Sequence, residues 1–136
     1  MENRISFITL AVADLARSRG FYRDSLGWQP MLDTDDVVMF AVADKVVLSL
    51  WDARAFAEEV GYVPELGRAP ITLAHNMPTR DGVDEVLATA RSAGAPEVNA
   101  AVQRDWGGYS GYFSDPDGYR WEVAYNPSPI GDVVLP

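Results

Sequence analysis

Short runs rich in β-branched, aromatic and other apolar residues recur along the chain, and in several of them apolar and polar residues alternate with the period of two that is typical of β-strands. These runs predict strands over residues 5–12, 28–32, 37–42, 46–51, 71–75, 98–103, 109–114 and 119–125. Two other stretches space apolar residues as a helix does. One follows a capping Asp14 and ends at Gly27, and the other follows Thr79 or Asp81 and ends at Gly94. A shorter helix is predicted over 52–60.

The order of these elements occurs twice along the chain. The segment 8–11, Ile-Thr-Leu-Ala, recurs 63 residues later as 71–74, and a cap, a helix and a glycine stop follow both copies. The repeat predicts an α+β fold, in which two βαβββ modules form a curved mixed sheet around a cavity with the helices outside. We expect a single domain over 1–136, with module 1 at about 4–52, a connector at about 53–69, module 2 at about 70–127 and a C-terminal tail at 128–136.

Strand alternation assigns the side chains to two faces. One set is uniformly apolar and is expected beneath the helices: Ile8, Leu10, Val46, Leu48, Leu50, Ile71, Leu73, Trp121 and Val123. The opposite set is mixed in polarity and is expected to face the cavity: Phe7, Thr9, Val47, Ser49, Trp51, Thr72, Ala74 and Glu122. A mixed lining is typical of a ligand site and not of a sealed core.

Composition excludes several kinds of site. The chain has no cysteine, which rules out disulfides, thiolate nucleophiles and thiolate metal sites. Its single histidine, His75, rules out a metal site with two imidazoles from one chain. The net charge of −9 disfavours nucleic acid as a partner. Because no leader pattern and no long apolar run occurs, we expect a cytoplasmic protein without a membrane partner.

Two groups of residues occur in an ordered series near the two ends of the chain. The first contains Leu10-Ala11-Val12-Ala13-Asp14-Leu15, Ser18, Phe21-Tyr22 and Leu26-Gly27-Trp28. The second contains Phe113-Ser114-Asp115-Pro116-Asp117-Gly118 and Trp121-Glu122-Val123. With them the chain resembles the glyoxalase, bleomycin-resistance and extradiol-dioxygenase group, the vicinal oxygen chelate superfamily. The resemblance spans 5–127 and implies paired βαβββ modules, a homodimer and, in the enzymatic members, a divalent metal held by His and Glu.

The positions that the resemblance assigns to metal ligands are mostly unsuited to a metal here. Phe7 replaces the first His, Ser49 replaces the first Glu, and Pro70 stands at the second His position. Only Glu122 matches, and one carboxylate is too few for a site that normally takes three or four protein ligands. We therefore expect no cofactor, and a divalent metal is disfavoured.

Glu122 and His75 are the candidate catalytic residues. Glu122 is interpreted as a general base, a metal ligand or a counter-charge, with an ion pair to Arg4, Arg104 or Arg120 as the alternative. His75 is interpreted as an acid-base group or as a metal ligand contributed with a slipped register, with a structural hydrogen bond as the alternative. The glycine-rich, aromatic segment 105–112 is interpreted as a ligand contact or as a hairpin loop that caps the core. The candidate ligand-binding residues are Phe7, Thr9, Ser49, Trp51, Thr72, Trp106, Tyr109, Tyr112 and Glu122.

These features favour a metal-independent small-molecule-binding protein that resembles the drug-sequestering members of the superfamily. Aromatic walls and an anchoring Glu122 would hold a neutral or cationic ligand. The alternative is a glyoxalase-like lyase or isomerase that acts through Glu122 and His75, with or without a divalent metal. A structural or partner-binding domain is the third hypothesis, because a fold does not dictate function.

Overall fold

A computed structural model describes residues 1, 3–65, 69 and 71–135. The chain divides into two compact units, Met1–Leu66 and Gly67–Pro136. Each unit contains one four-stranded mixed sheet, and the described strands pair in these two sheets and not in one closed barrel. The α+β fold class and the two βαβββ modules are confirmed. Residues 66–68 of the expected connector, and residue 70 at the expected start of module 2, lie outside the described residues.

The first unit follows the predicted order of elements. Its elements are β1 (Phe7–Val12), α1 (Leu15–Arg19), a π-helical segment (Gly20–Ser25), β2 (Leu32–Asp33), β3 (Val37–Ala43), β4 (Val46–Asp52) and α2 (Ala53–Val60). The strands lie in the order β1-β4-β3-β2. β1 runs parallel to β4, and the two other pairings are antiparallel.

The second unit repeats this topology. Its elements are β5 (Thr72–Asn76), α3 (Arg80–Ser92), β6 (Val98–Gln103), β7 (Tyr109–Ser114), β8 (Arg120–Tyr125) and α4 (Pro129–Val134). The strands lie in the order β5-β8-β7-β6, again with one parallel pairing, between β5 and β8. The sequence repeat therefore corresponds to a repeat in strand order.

Side-chain caps explain where the helices begin. The Asp14 carboxylate accepts a hydrogen bond of 3.0 Å from the Arg17 N–H and begins α1. The Asp52 carboxylate likewise accepts from the first turn of α2. For α3 the cap is Thr79 and not Asp81, because the Thr79 hydroxyl accepts from the Gly82 N–H at 3.1 Å. α2 ends at Gly61, whose positive φ of 87° suits a residue without a side chain.

The structure differs from the predictions at two places in the first unit. The strand expected over 28–32 is wrong, since β2 spans Leu32–Asp33 alone. Trp28 instead packs edge-on against Phe40, with ring centroids 5.6 Å apart. The first helix also changes to π-helical hydrogen bonding, in which the Leu26 N–H donates to the Phe21 carbonyl. The residues Phe21 and Tyr22 are both buried in this wider turn.

One face of the second sheet is covered by α3. Val83, Leu87 and Ala90 of this helix are buried, and α3 packs on β6, β7 and β8. Beneath it the rings of Phe113 and Trp121 stack with an interplanar angle of 2°. No helix in the described ranges has both the length and the apolarity needed to cross a bilayer.

Candidate functional site

Strand register defines which side chains lie on the face of the second sheet opposite α3. Ala74 of β5 pairs with Glu122 of β8, and Glu122 pairs in turn with Tyr112 of β7. Since side chains alternate between faces, these three residues share the face opposite α3, together with Ser110 and Ala124. The side chains on this face are therefore placed by the edge strand β5 and the central strands β8 and β7.

A cavity of about 290 Å³ opens on this face. It is lined by Asn76, Trp106, Glu122, Ala124, Asn126, Ile130 and Val134. The lining combines one carboxylate, two amides, one indole and three aliphatic side chains. A lining that combines hydrogen-bonding groups with apolar side chains can orient a small molecule and also contact its apolar surface.

Glu122 is held by a hydrogen bond from Tyr112, whose hydroxyl donates to Oε1 of Glu122 at 2.9 Å. The arginines considered as its partners bind other acceptors. Arg4 donates to Ser6, and Arg104 donates to Ser110. Arg120 forms an ion pair of 2.7 Å with Glu97. The carboxylate of Glu122 therefore contributes its charge to the cavity wall.

Tyr112 is a protonated donor over the physiological range. Burial first, and then the hydrogen bond and negative charge of Glu122, raise the pKa of Tyr112 above its ordinary value. The guanidinium groups of Arg104 and Arg120 lie 5.6 and 5.9 Å from the centroid of the Tyr112 ring. These contacts fix the ring, and the ring fixes the carboxylate of Glu122.

Trp106 reaches the cavity from the loop between β6 and β7. The Arg104 N–H donates to the Gly108 carbonyl at 2.8 Å, and the Gly107 N–H donates to the Arg104 carbonyl at 2.9 Å. Gly107 has a φ of 94°, which favours glycine because side chains rarely tolerate it. This tight loop places Trp106, which is 53% exposed, on the cavity wall.

Four of the predicted ligand-binding residues lie in the first unit. Phe7 is 55% exposed, and Thr9 pairs with Ser49 in the sheet. Ser49 is buried, and its Oγ is the one buried side-chain oxygen or nitrogen among the described residues that has no hydrogen-bond partner. Trp51 packs edge-on against Phe56 of α2. The roles of Phe7, Thr9, Ser49 and Trp51 in ligand binding stay predictions.

Three further candidates lie away from the cavity of the second unit. Tyr109 is on the face covered by α3, where its hydroxyl donates to Asp84 at 3.0 Å. His75 is exposed and pairs with Val123, the neighbour of Glu122 in β8. Its side chain therefore lies on the other face of the sheet from that of Glu122. Thr72 is exposed at the start of β5. The structure does not bring these residues to the cavity, and their predicted roles rest on the sequence alone.

Five residues of the cavity wall were not predicted from the sequence: Asn76, Ala124, Asn126, Ile130 and Val134. Asn76 lies two positions after Ala74, so alternation alone indicates its face. Asn126 lies at the same spacing from Ala124. Ile130 and Val134 belong to α4, which falls in the segment treated as a tail. The signal for this helix was Ser128 followed by Pro129, a common helix start.

The metal that the resemblance implies in enzymatic members does not fit the residues present. Phe7 has no donor atom, Ser49 offers a neutral hydroxyl, and Pro70 lies outside the described residues and has no side-chain donor. Among the side chains that the structure describes, no three of His, Asp or Glu are grouped as a metal site requires. Glu122 is left as a lone carboxylate at these positions.

Comparison with known proteins identifies the family. Three solved structures illustrate the likeness. A glyoxalase-related enzyme from Fulvimarina pelagi is 30% identical with a TM-score of 0.86, over 93% of this chain and 90% of that one. A glyoxalase/bleomycin resistance protein/dioxygenase from Nocardioides is 25% identical with a TM-score of 0.77, over 92% of this chain and 84% of that one. A lactoylglutathione lyase from Agrobacterium tumefaciens shares the fold at 22% identity and a TM-score of 0.72, over 92% of this chain and 95% of that one.

None of the curated proteins matches the sequence. The model of the Glyoxalase/Bleomycin resistance protein/Dioxygenase superfamily matches residues 4–123, which include β1 to β7 and the part of β8 that contains Glu122. The chain belongs to the glyoxalase/bleomycin resistance protein/dioxygenase superfamily.

Proposed function

We propose that this chain is a small-molecule-binding protein that works without the metal site of the enzymatic members of its superfamily. The observation that carries the proposal is the cavity of about 290 Å³ in the second unit, with Glu122 on its wall. This volume is close to the roughly 300 Å³ at which small-molecule sites begin. The ligand is accordingly a compact molecule.

The polar and the apolar residues of the lining contribute differently to binding. Glu122, Asn76 and Asn126 supply the hydrogen-bonding groups that orient a ligand. Trp106 and the aliphatic residues of α4 supply apolar contact, which drives the association. The net charge of −9 attracts a cationic ligand, repels an anion and does not act against a neutral one. A homodimer, which the family resemblance implies, remains part of this proposal.

A lyase or isomerase activity through Glu122 is the second candidate function. The observation that favours it is the pairing of a carboxylate with a protonated phenol, Tyr112, beside the cavity. Such a carboxylate can accept a proton from a carbon next to a carbonyl group. His75 lies on the other face of the sheet, so in this proposal Glu122 acts without it.

The binding proposal is tested by changing Trp106 to alanine. A panel of neutral and cationic fragments is screened against the protein by ligand-observed NMR, and dissociation constants are measured for those that bind. In Trp106→Ala we expect affinity to fall about tenfold or more, because an aromatic wall of the cavity is removed. The melting temperature is expected to stay nearly constant, since Trp106 is half exposed.

Tyr109→Phe is the matched control for Trp106→Ala. Tyr109 is an aromatic residue close to the same loop, but it lies on the face covered by α3. Its replacement should leave fragment affinities unchanged. If fragment affinities are unchanged in Trp106→Ala while its melting temperature falls strongly, Trp106 stabilises the fold and does not contact the ligand.

A further inference from the structure

We infer that the ligand of this cavity is a small organic ammonium ion that carries an apolar group, and that Gly108 positions Trp106 against it. The inference rests on the proposed function and deepens it by naming the class of ligand. Three features of the second unit support it. They are the single charge on the cavity wall, the hydrogen bonds that the neighbouring arginines make to other residues, and the position of the Trp106 ring.

The first feature is the charge of the lining. Among the lining residues that the structure describes, Glu122 is the one with a formal charge. An ammonium group donates hydrogen bonds to a carboxylate and gains charge assistance from it. A carboxylate or phosphate on the ligand would instead meet Glu122 as a like charge. The cavity wall therefore selects for a cation.

The second feature is that the nearby arginines are engaged elsewhere. Arg104 donates to the Oγ of Ser110 at 3.0 Å and to its carbonyl oxygen at 2.9 Å. Arg120 donates to Glu97 at 2.7 Å and to Asn99 at 2.8 Å. Neither arginine lines the cavity. An anionic ligand would have to break these bonds before either guanidinium could bind it.

The third feature is the position of the Trp106 ring. A Cβ atom added to Gly108 would overlap the six-membered part of the indole, so the ring passes directly over the Gly108 backbone. A residue with a side chain at 108 would displace the ring. The face of an indole attracts a cation that lies within about 6 Å of it. Gly108 thus permits the ring position that complements Glu122.

The apolar part of the ligand has its own wall in α4. Ile130 and Val134 lie one helical turn apart and both line the cavity. Gly131, between them, allows α4 to approach the carbonyl of Asn126, which a Cβ atom at 131 would overlap. An alkyl or aryl group on the amine would be buried against this pair.

The ligand class is tested with three probes that differ in one terminal group: 4-phenylbutylammonium, 4-phenylbutan-1-ol and 4-phenylbutanoate. Their dissociation constants are measured by titration calorimetry at low ionic strength. We expect the ammonium to bind about tenfold or more tightly than the alcohol, and the carboxylate to bind most weakly. In Glu122→Gln the preference for the ammonium over the alcohol should disappear.

Three outcomes would overturn the inference. Equal binding of ammonium and alcohol, or tightest binding of the carboxylate, would refute the ligand class while leaving small-molecule binding intact. If none of the three probes binds, the ammonium class is likewise refuted. The fragment panel then decides separately whether the cavity binds small molecules at all.

The role of Gly108 is tested by a double-mutant cycle. Gly108→Ala should weaken binding of 4-phenylbutylammonium about tenfold by displacing the ring of Trp106. In a Trp106→Ala background the same change should have no further effect, because no ring remains to be displaced. A loss of affinity that persists in that background would show that Gly108 does not act through Trp106.

Discussion

Replacing Gly111 with valine is expected to lower the free energy of unfolding by about 3 kcal/mol or more. Gly111 lies in the central strand β7, on the face covered by α3. A Cβ atom there would lie 2.6 Å from Leu87 Cδ1, 2.7 Å from the Asn99 carbonyl oxygen and 2.8 Å from the Ala101 nitrogen. Two of these three atoms belong to the backbone of β6. The strand itself would therefore have to move.

Gly20→Ala is the matched control for this substitution. A Cβ atom at Gly20 would meet nothing closer than an oxygen of Asp24 at 3.8 Å, and the residue lies in a helical segment. We expect its effect to be within about 1 kcal/mol and in the stabilising direction. Urea unfolding followed by circular dichroism compares the two variants. An unchanged midpoint for Gly111→Val would contradict the close approach of β6 and β7.

Changing Asp115 to alanine is expected to cost about 3 kcal/mol of unfolding free energy. Asp115 is fully buried, and its Oδ1 accepts hydrogen bonds from the Asp117 N–H at 3.0 Å and the Tyr119 N–H at 2.9 Å. Both bonds go to a carboxylate, and such bonds are stronger than those between neutral groups. The turn joins β7 to β8, so its loss also weakens the register that places Tyr112 beside Glu122.

Asp115→Asn provides the comparison for Asp115→Ala. Asparagine keeps one carbonyl oxygen as an acceptor for the turn but loses the charge, and we expect it to cost less than alanine does. Thermal unfolding by calorimetry ranks the two variants. Equal stability of Asp115→Ala and the unchanged protein would show that these two bonds do not hold the turn together.

Alternation and the internal repeat were sufficient to predict most of the fold. The strand predicted over 46–51 corresponds to β4, Val46–Asp52, although Ser49 is as buried as its neighbours Leu48 and Leu50. The segment 28–32 also contains β-prone residues, yet it forms no strand before Leu32, and Trp28 packs in an aromatic cluster with Tyr22 and Phe40. That cluster depends on tertiary packing, which local propensity does not contain.

The candidate site was predicted only in part, for related reasons. Glu122 was found because a motif and the strand alternation agree on its position. Tyr109 and Tyr112 were both predicted to contact the ligand, although they are three positions apart, an odd spacing that places them on opposite faces of the sheet. The contribution of α4 depends on how closely Gly131 approaches Asn126. That approach is a feature of tertiary packing.

Crystals soaked with the binding fragments provide the most direct measurement of where this protein holds a small molecule. We predict that electron density for the fragments lies in the second unit, in contact with Trp106 and Glu122 and against Ile130 of α4. Fragments that bind repeatedly at another place, while this cavity stays free of them at saturating concentration, would contradict the proposed site.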